Sequence, residues 1–177
     1  MKAVDVAKYI LSLAKFDKGE EISNLALQKL LYYCQGYYLA YTNKKLFEDD
    51  ILAWKYGPVV SDVYQKYKSY KESFLPNTRL TEEEKSKFTK EQKIVIKLVF
   101  REYIKYSAVG LMEKTHKESP WQETKKNCII SEDSLLKFFR PIIEKITEFL
   151  FLKKTEEVAK QVNKLNIDEL PTYKFIY

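Results

Sequence analysis

The stretch Ser23-Asn24-Leu25-Ala26-Leu27-Gln28-Lys29-Leu30-Leu31-Tyr32-Tyr33-Cys34-Gln35-Gly36 decides the fold. Leu27, Leu30, Leu31, Cys34, Tyr38 and Tyr41 recur at the helical period, and Tyr33, Tyr37, Leu39 and Ala40 fill much of the remaining circumference. A helix apolar on most sides is buried rather than laid on a surface, so residues 23–41 are expected to form the central helix. Ser23 is placed to cap it, with Ile22 and Leu27 as a hydrophobic staple.

On either side the pattern remains helical. Val4, Ala7, Leu11 and Ala14, broadened by Val6, Ile10 and Leu13, predict a first helix over residues 3–16 that Lys18-Gly19 ends. Residues 43–57 read as a connection, with Ile51, Ala53 and Trp54 extended. Gly57-Pro58 is expected to start a third helix whose buried stripe is Val59, Val63, Tyr64 and Tyr67, since proline suits a first helical turn. A loop over 71–80 surrounds Pro76-Asn77, and the capping boxes Thr81–Glu84 and Thr89–Gln92 predict a short helix before a longer one at 90–106. Ile94, Val95, Leu98, Val99, Tyr103 and Ile104 make the longer one strongly apolar. Ser107 is placed to cap a further helix reaching Lys117, with a bend expected at Gly110. Ser131 begins another, which Pro141 is expected to kink or split. Val158, Val162 and Leu165 share one side of a charged segment beyond it, and the tail 166–177 reads as extended. The fold class is therefore all-α or nearly so: one domain over 1–177, with at most short peripheral strands.

Composition bounds the function. The 177 residues include 45% hydrophobic, 32% charged and 15% aromatic positions, with only 4 Gly and 5 Pro, as in one globular domain without long linkers. The net charge of +6 comes from lysines scattered among 25 acids, and Arg79, Arg101 and Arg140 offer little bidentate phosphate recognition. Nucleic-acid binding is thus disfavoured. Asp5, Lys8 and Lys15 interrupt every early apolar run, so neither a leader nor a membrane segment is expected. Cys34 and Cys128 make no disulfide framework, which fits a reduced, cytoplasmic protein.

Chemistry is hard to assemble from these residues. His116 is the sole histidine, the cysteines lack metal-site spacing, and glycines at 19, 36, 57 and 110 form no phosphate loop. Cys34 reads as inert core rather than as a thiol partner of His116. No catalytic residue, metal or cofactor is expected. Thr115-His116-Lys117-Glu118-Ser119-Pro120-Trp121 admits two readings. In the structural one, Thr115 or Ser119 caps, Pro120 starts a helix and Trp121 plugs the core. In the functional one, a polar cluster beside Trp54 and Tyr56 meets a partner.

Three blocks together resemble the Panacea domain family, known chiefly as antitoxins of bacterial and phage toxin–antitoxin pairs. They are Ile22–Leu25 with Leu27–Tyr33 and Gln35-Gly36; Leu46-Phe47 with Ala53–Val59 and Val63-Tyr64; and Thr115–Glu118 with Pro120-Trp121. The resemblance covers roughly residues 5–140 and leaves 141–177 as a C-terminal helical extension and tail. It implies a mainly helical, non-enzymatic domain that neutralises a cognate protein toxin by direct contact. Some relatives instead deliver a toxin to a protease, and a nucleic-acid-associated phage or prophage protein is a further alternative. Family members often carry an extra domain, DNA-binding ones among them; no room for one is expected here beyond the C-terminal helices, so autorepression is not expected. Homo-oligomerisation stays open.

The expected platform comprises Trp54, Lys55, Tyr56, Gly57 and Pro58 together with His116, Glu118 and Trp121, brought close in the fold, with Leu27, Leu30, Leu31, Tyr33 and Gln35 as the core motif beneath. Loops such as 71–80 are expected to tune partner choice.

Overall fold

The computed structural model describes residues 1–14 and 19–162, apart from the side chains of 149–156 and 158–162. Its order is α1 (Ala3–Leu13), α2 (Asn24–Thr42), β1 (Leu52–Trp54), β2 (Gly57–Val59), α3 (Ser61–Tyr67), α4 (Glu82–Ser86), α5 (Lys90–Tyr103), α6 (Ala108–His116), α7 (Ser119–Gln122) and α8 (Glu132–Val162). The chain divides into two compact units between Arg140 and Pro141. Among the described residues no helix is long and apolar enough to cross a membrane.

The first unit is built around α2, which packs against α1, α3, α5, α6 and β2. Leu27, Leu30, Leu31, Tyr32, Tyr33 and Cys34 are all fully buried, so successive residues on every side of the helix face protein. Each such leucine contributes about 1.5–3 kcal/mol by leaving water. The Ser23 hydroxyl accepts the Ala26 N–H at 3.3 Å, and the staple residues Ile22 and Leu27 are both buried. Asn43, in the left-handed region at φ 55°, closes the C-terminus by donating its N–H to the Leu39 carbonyl at 2.8 Å. The apolar stripe stops short of the end, for Tyr41 is exposed.

The polar residues of α2 hold the connection that follows it. Gln35 is nearly inaccessible: its carbonyl accepts the N–H groups of Leu46 (3.0 Å) and Phe47 (3.1 Å), and its amide donates to the Phe47 carbonyl. Gln28 accepts the Val60 N–H at 2.9 Å and donates to Asn24, which in turn donates to the Tyr64 carbonyl. Side-chain amides on the central helix thus satisfy loop backbone that burial would otherwise leave unpaired.

Both capping boxes form, at Thr81–Glu84 and Thr89–Gln92. Several boundaries differ from the sequence pattern. α1 ends at Leu13, where Ala14 turns extended; the rest of the expected 3–16 helix, and Lys18, lie outside the described residues. Gly57-Pro58 does not start a helix. Pro58 sits on β2 opposite Ala53, and the helix begins three residues later at Ser61. Ala53 directs its N–H to the Cys128 carbonyl (2.9 Å) and accepts from Asn127 N–H (2.8 Å), so the missing proline N–H removes no rung of the hairpin. Leu52 also bridges Ile129 on that flank.

α5 ends at Tyr103 rather than 106, and Ile94 and Leu98 point away from its buried face. α6 runs unbroken through Gly110, whose N–H donates to the Ser107 cap at 3.0 Å, so a glycine at this first-turn position serves the cap. α8 begins after Ser131, whose hydroxyl accepts the Ser134 N–H, and continues through Pro141 without splitting. The stripe of Val158, Val162 and Leu165 and the tail 166–177 lie outside what the structure describes of side chains or chain.

Candidate functional site

The β1–β2 hairpin turns on two residues, Lys55 and Tyr56, between the paired Trp54 and Gly57. Both are exposed, and the Lys55 ammonium lies 5.2 Å from the centre of the Tyr56 ring, within cation–π range. Gly57 leaves the turn at φ 96°, where a side chain is strained. A Cβ there would also fall 2.8 Å from Lys29 Nζ and from Thr115 Oγ1. The hairpin root therefore presses backbone directly onto two helices, α2 and α6.

Lys29 is the unexpected member of the site. It is fully buried, and its ammonium donates to the Pro58 carbonyl at 3.0 Å. Burial brings its pKa down to about 7. A lysine whose unfolded pKa is near 10.5 then stays protonated in the unfolded chain while the folded one releases its proton. Stability from this group accordingly rises with pH from about 7 towards 10, with a limiting slope of about 1.4 kcal/mol per pH unit. Below about 7 both states are charged and the term is flat. Lys29→Met keeps the stem and removes the charge, so urea denaturation at pH 7 and 9 should show less gain in stability with pH than the wild type. Equal pH dependence in both proteins would refute a buried, titrating Lys29.

The segment 115–121 closes over this root. Thr115 is fully buried and donates to the Met112 carbonyl at 2.9 Å, so it caps nothing downstream. Lys117 and Glu118 make the turn, and Glu118, not Ser119 or Thr115, occupies the N-cap of α7, with Pro120 in its first turn. His116 stacks on Trp121, ring centres 4.0 Å apart and planes within 16°. Its Nε2 is buried with no hydrogen-bond partner among the described residues. Burial and the Lys29 charge both lower the His116 pKa, against a hydrogen bond to the Lys55 backbone that raises it. Trp121 is half-buried rather than a core plug: its indole N–H reaches out to the Trp54 carbonyl at 2.9 Å. Trp54 in turn meets Tyr64 edge-on at 5.0 Å.

Glu118 does not cap with its side chain. It turns inward, where its two carboxylate oxygens accept the hydroxyls of Tyr32 and Tyr33, each at 2.9 Å. Burial pushes its pKa up, while the two hydroxyls and Lys114 oppose that rise. Tyr33 stacks on Tyr103 at 3.9 Å, and the Tyr103 and Tyr37 hydroxyls share a hydrogen bond. Phe139 fits edge-on among Tyr32, Tyr33 and Tyr37. It fits because residue 36 is glycine: a Cβ there would come within 2.2 Å of the Phe139 ring.

The structure thus brings together Trp54, Lys55, Gly57, His116 and Trp121 through direct contacts, and puts Tyr56 at the exposed tip and Pro58 over Lys29. Glu118 lies on the inner side of the same segment, tied to the core motif through Tyr33. Gln35 is elsewhere, holding Leu46-Phe47. The loop 71–80 is anchored at its middle, where Leu75 N–H donates to the Ile22 carbonyl and Asn77 reaches Ala14. Lys29, Tyr32, Tyr103 and Phe139 escaped notice as site members. For Lys29 the signal was available: its helical neighbours at three and four residues are Leu25, Ala26, Tyr32 and Tyr33, all buried or half-buried.

Chemically the arrangement holds two polypeptide segments rigidly and presents the Lys55-Tyr56 tip. Cys34 is fully buried with its thiol pKa pushed up, the opposite of an activated nucleophile. Residues 27–122 match the family described as Antitoxin SocA-like, Panacea domain. Antitoxin SocA of Caulobacter vibrioides (strain NA1000 / CB15N) is 41% identical over 56 residues, covering 32% of this chain and 30% of that protein. The chain therefore spans under a third of that relative's length. No solved structure matches. The matched region contains the hairpin, Lys29, Glu118 and Trp121, and it covers more than half of the sequence; the chain belongs to the SocA-like antitoxin family with a Panacea domain.

Proposed function

We propose that this protein is an antitoxin that neutralises a cognate protein toxin in the cytoplasm by direct, non-catalytic contact. The observation that carries this reading is the use to which the family region puts its polar side chains. Gln28, Lys29, Gln35 and Glu118 are buried and bonded inward, so they build a rigid support instead of facing a substrate. A rigid support under an exposed Lys-Tyr tip suits recognition of another protein, where aromatic and cationic side chains dominate binding energy.

Co-expression with the product of the adjacent reading frame tests the proposal, since an antitoxin restores growth and co-purifies with the toxin without added metal or nucleotide. Lys55→Ala and Tyr56→Ala are both exposed changes and should leave the melting temperature within about 2 °C of wild type while weakening rescue. His116→Ala removes a ring stack worth about 1 kcal/mol and should cost stability of that order. It should also weaken rescue through the displaced hairpin. Full rescue by all three variants would remove the platform from the binding surface and leave it as architecture.

A further inference from the structure

α5 carries apolar residues on two opposite sides. Val95, Ile96, Val99, Phe100 and Tyr103 are buried against the first unit, whereas Ile94 is 54% and Leu98 57% exposed, one helical turn apart. At 100° per residue, Lys90, Ile94, Lys97, Leu98 and Arg101 fall within about 100° of arc, a second amphipathic stripe facing outward. Lys90, Lys97 and Arg101 make no ion pair among the described residues, while Glu102 at the edge of the stripe is already paired with Lys105 at 2.8 Å. Single exposed apolar residues are ordinary on any surface. Two adjacent ones lined along one side by Lys97, Lys90 and Arg101, with Glu91 beyond Leu98 on the other, on a helix about 21 Å long, form a surface whose cationic side has a definite complement.

We propose that the outer face of α5 docks an acidic, amphipathic helix of the toxin, whose apolar side chains cover Ile94 and Leu98 and whose carboxylates meet Lys90, Lys97 and Arg101. This rests on the antitoxin reading and adds to it a second contact surface, separate in sequence from the hairpin tip. Charge complementarity selects the occupant. The two apolar side chains have no role on a phosphate backbone, which is bound by cations and hydrogen-bond donors. They also offer much less apolar area than the continuous face with which a helix enters a lipid interface. Pairing of an amphipathic helix with anchors one turn apart is a standard mode of protein recognition.

The test uses the full chain and a synthetic helical peptide with Leu at positions one turn apart flanked by Glu, together with a version bearing Lys for Glu. The acidic peptide should bind in fluorescence anisotropy at low salt, and the basic one should not. Ile94→Ser with Leu98→Ser should weaken binding about tenfold or more. Lys97→Glu with Arg101→Glu should exchange the preference to the basic peptide, and both pairs should keep the wild-type melting curve. Toxin recovered from the co-expression experiment should displace the peptide. Equal binding of both peptides, or no effect of either pair, overturns the docking face. Retention of the peptide by the toxin-bound protein shows that the toxin sits elsewhere and overturns the assignment of the occupant. Binding to phosphatidylserine vesicles lost in the same variants, or a dimer in sedimentation that Ile94→Ser with Leu98→Ser dissolves, also overturns it in favour of a lipid surface or a second copy. If no toxin complex forms with the wild type, the antitoxin reading itself fails and takes this occupant with it, whereas peptide binding still reports on the face.

Discussion

Leu31→Asp should leave the protein unfolded or nearly so at ordinary temperature. Leu31 is fully inaccessible at the centre of α2, the helix against which α1, α3, α5, α6 and β2 all pack. A carboxylate there loses its hydration, and the leucine it replaces took part in the core on which every neighbour rests. The combined cost is about 4 kcal/mol or more. Typical domains have only about 5–15 kcal/mol in total. Circular dichroism should show loss of helix or a melting temperature lowered by about 8–16 °C or more, at about 2–4 °C per kcal/mol for a chain of this size. Leu31→Met conserves volume and polarity and should cost less than about 1.5 kcal/mol, so it controls for mutation at the site as such. A cooperative Leu31→Asp melt at the wild-type temperature would mean that α2 is not the centre of the fold.

Glu118→Ala should be the most damaging change in the 115–121 segment. Its carboxylate is the shared acceptor of two buried hydroxyls, those of Tyr32 and Tyr33. Removing it leaves both hydroxyls without an acceptor, at about 1–3 kcal/mol each, and opens a gap beneath α7. A fall of about 5–15 °C in melting temperature is expected. The same deletion made on a Tyr32→Phe, Tyr33→Phe background should cost clearly less, because those side chains no longer need an acceptor. Equal costs on both backgrounds would show that the hydroxyls do not depend on Glu118. Since α7 carries Trp121 to the Trp54 carbonyl, toxin rescue should fail alongside stability in the single variant.

These two residues mark how far the sequence could be read. Leu31 was legible because helical periodicity reports burial directly, and the same holds for the Ser23, Thr81 and Thr89 caps, whose chemistry is local. Pro58 misled because proline suits both a first helical turn and a strand edge, and only the long-range pairing of Ala53 with residues 127–128 decides between them. Lys29 sits among apolar helical neighbours, which points to its burial, but its acceptor is 29 residues away; the burial of Glu118 depends on a partner 86 residues away, which no local pattern announces. The sequence leads to the expectation that the hairpin lies close to His116 and Trp121. What joins them, an indole bonded to a hairpin carbonyl and a glycine pressed on a buried lysine, is tertiary geometry. In α5 the sequence shows a strongly apolar helix, but its composition does not say which apolar residues face the core, and Ile94 and Leu98 face solvent.

Direct neutralisation is most plainly tested by calorimetric titration of the purified toxin from the adjacent reading frame with this protein, in buffer without metal or nucleotide. The expected result is a saturating isotherm at a fixed molar ratio, with toxin activity in the same samples falling in proportion to the complex formed. Loss of toxin activity at a small fraction of that ratio, without heat of binding to match, would mean turnover and contradict neutralisation by contact.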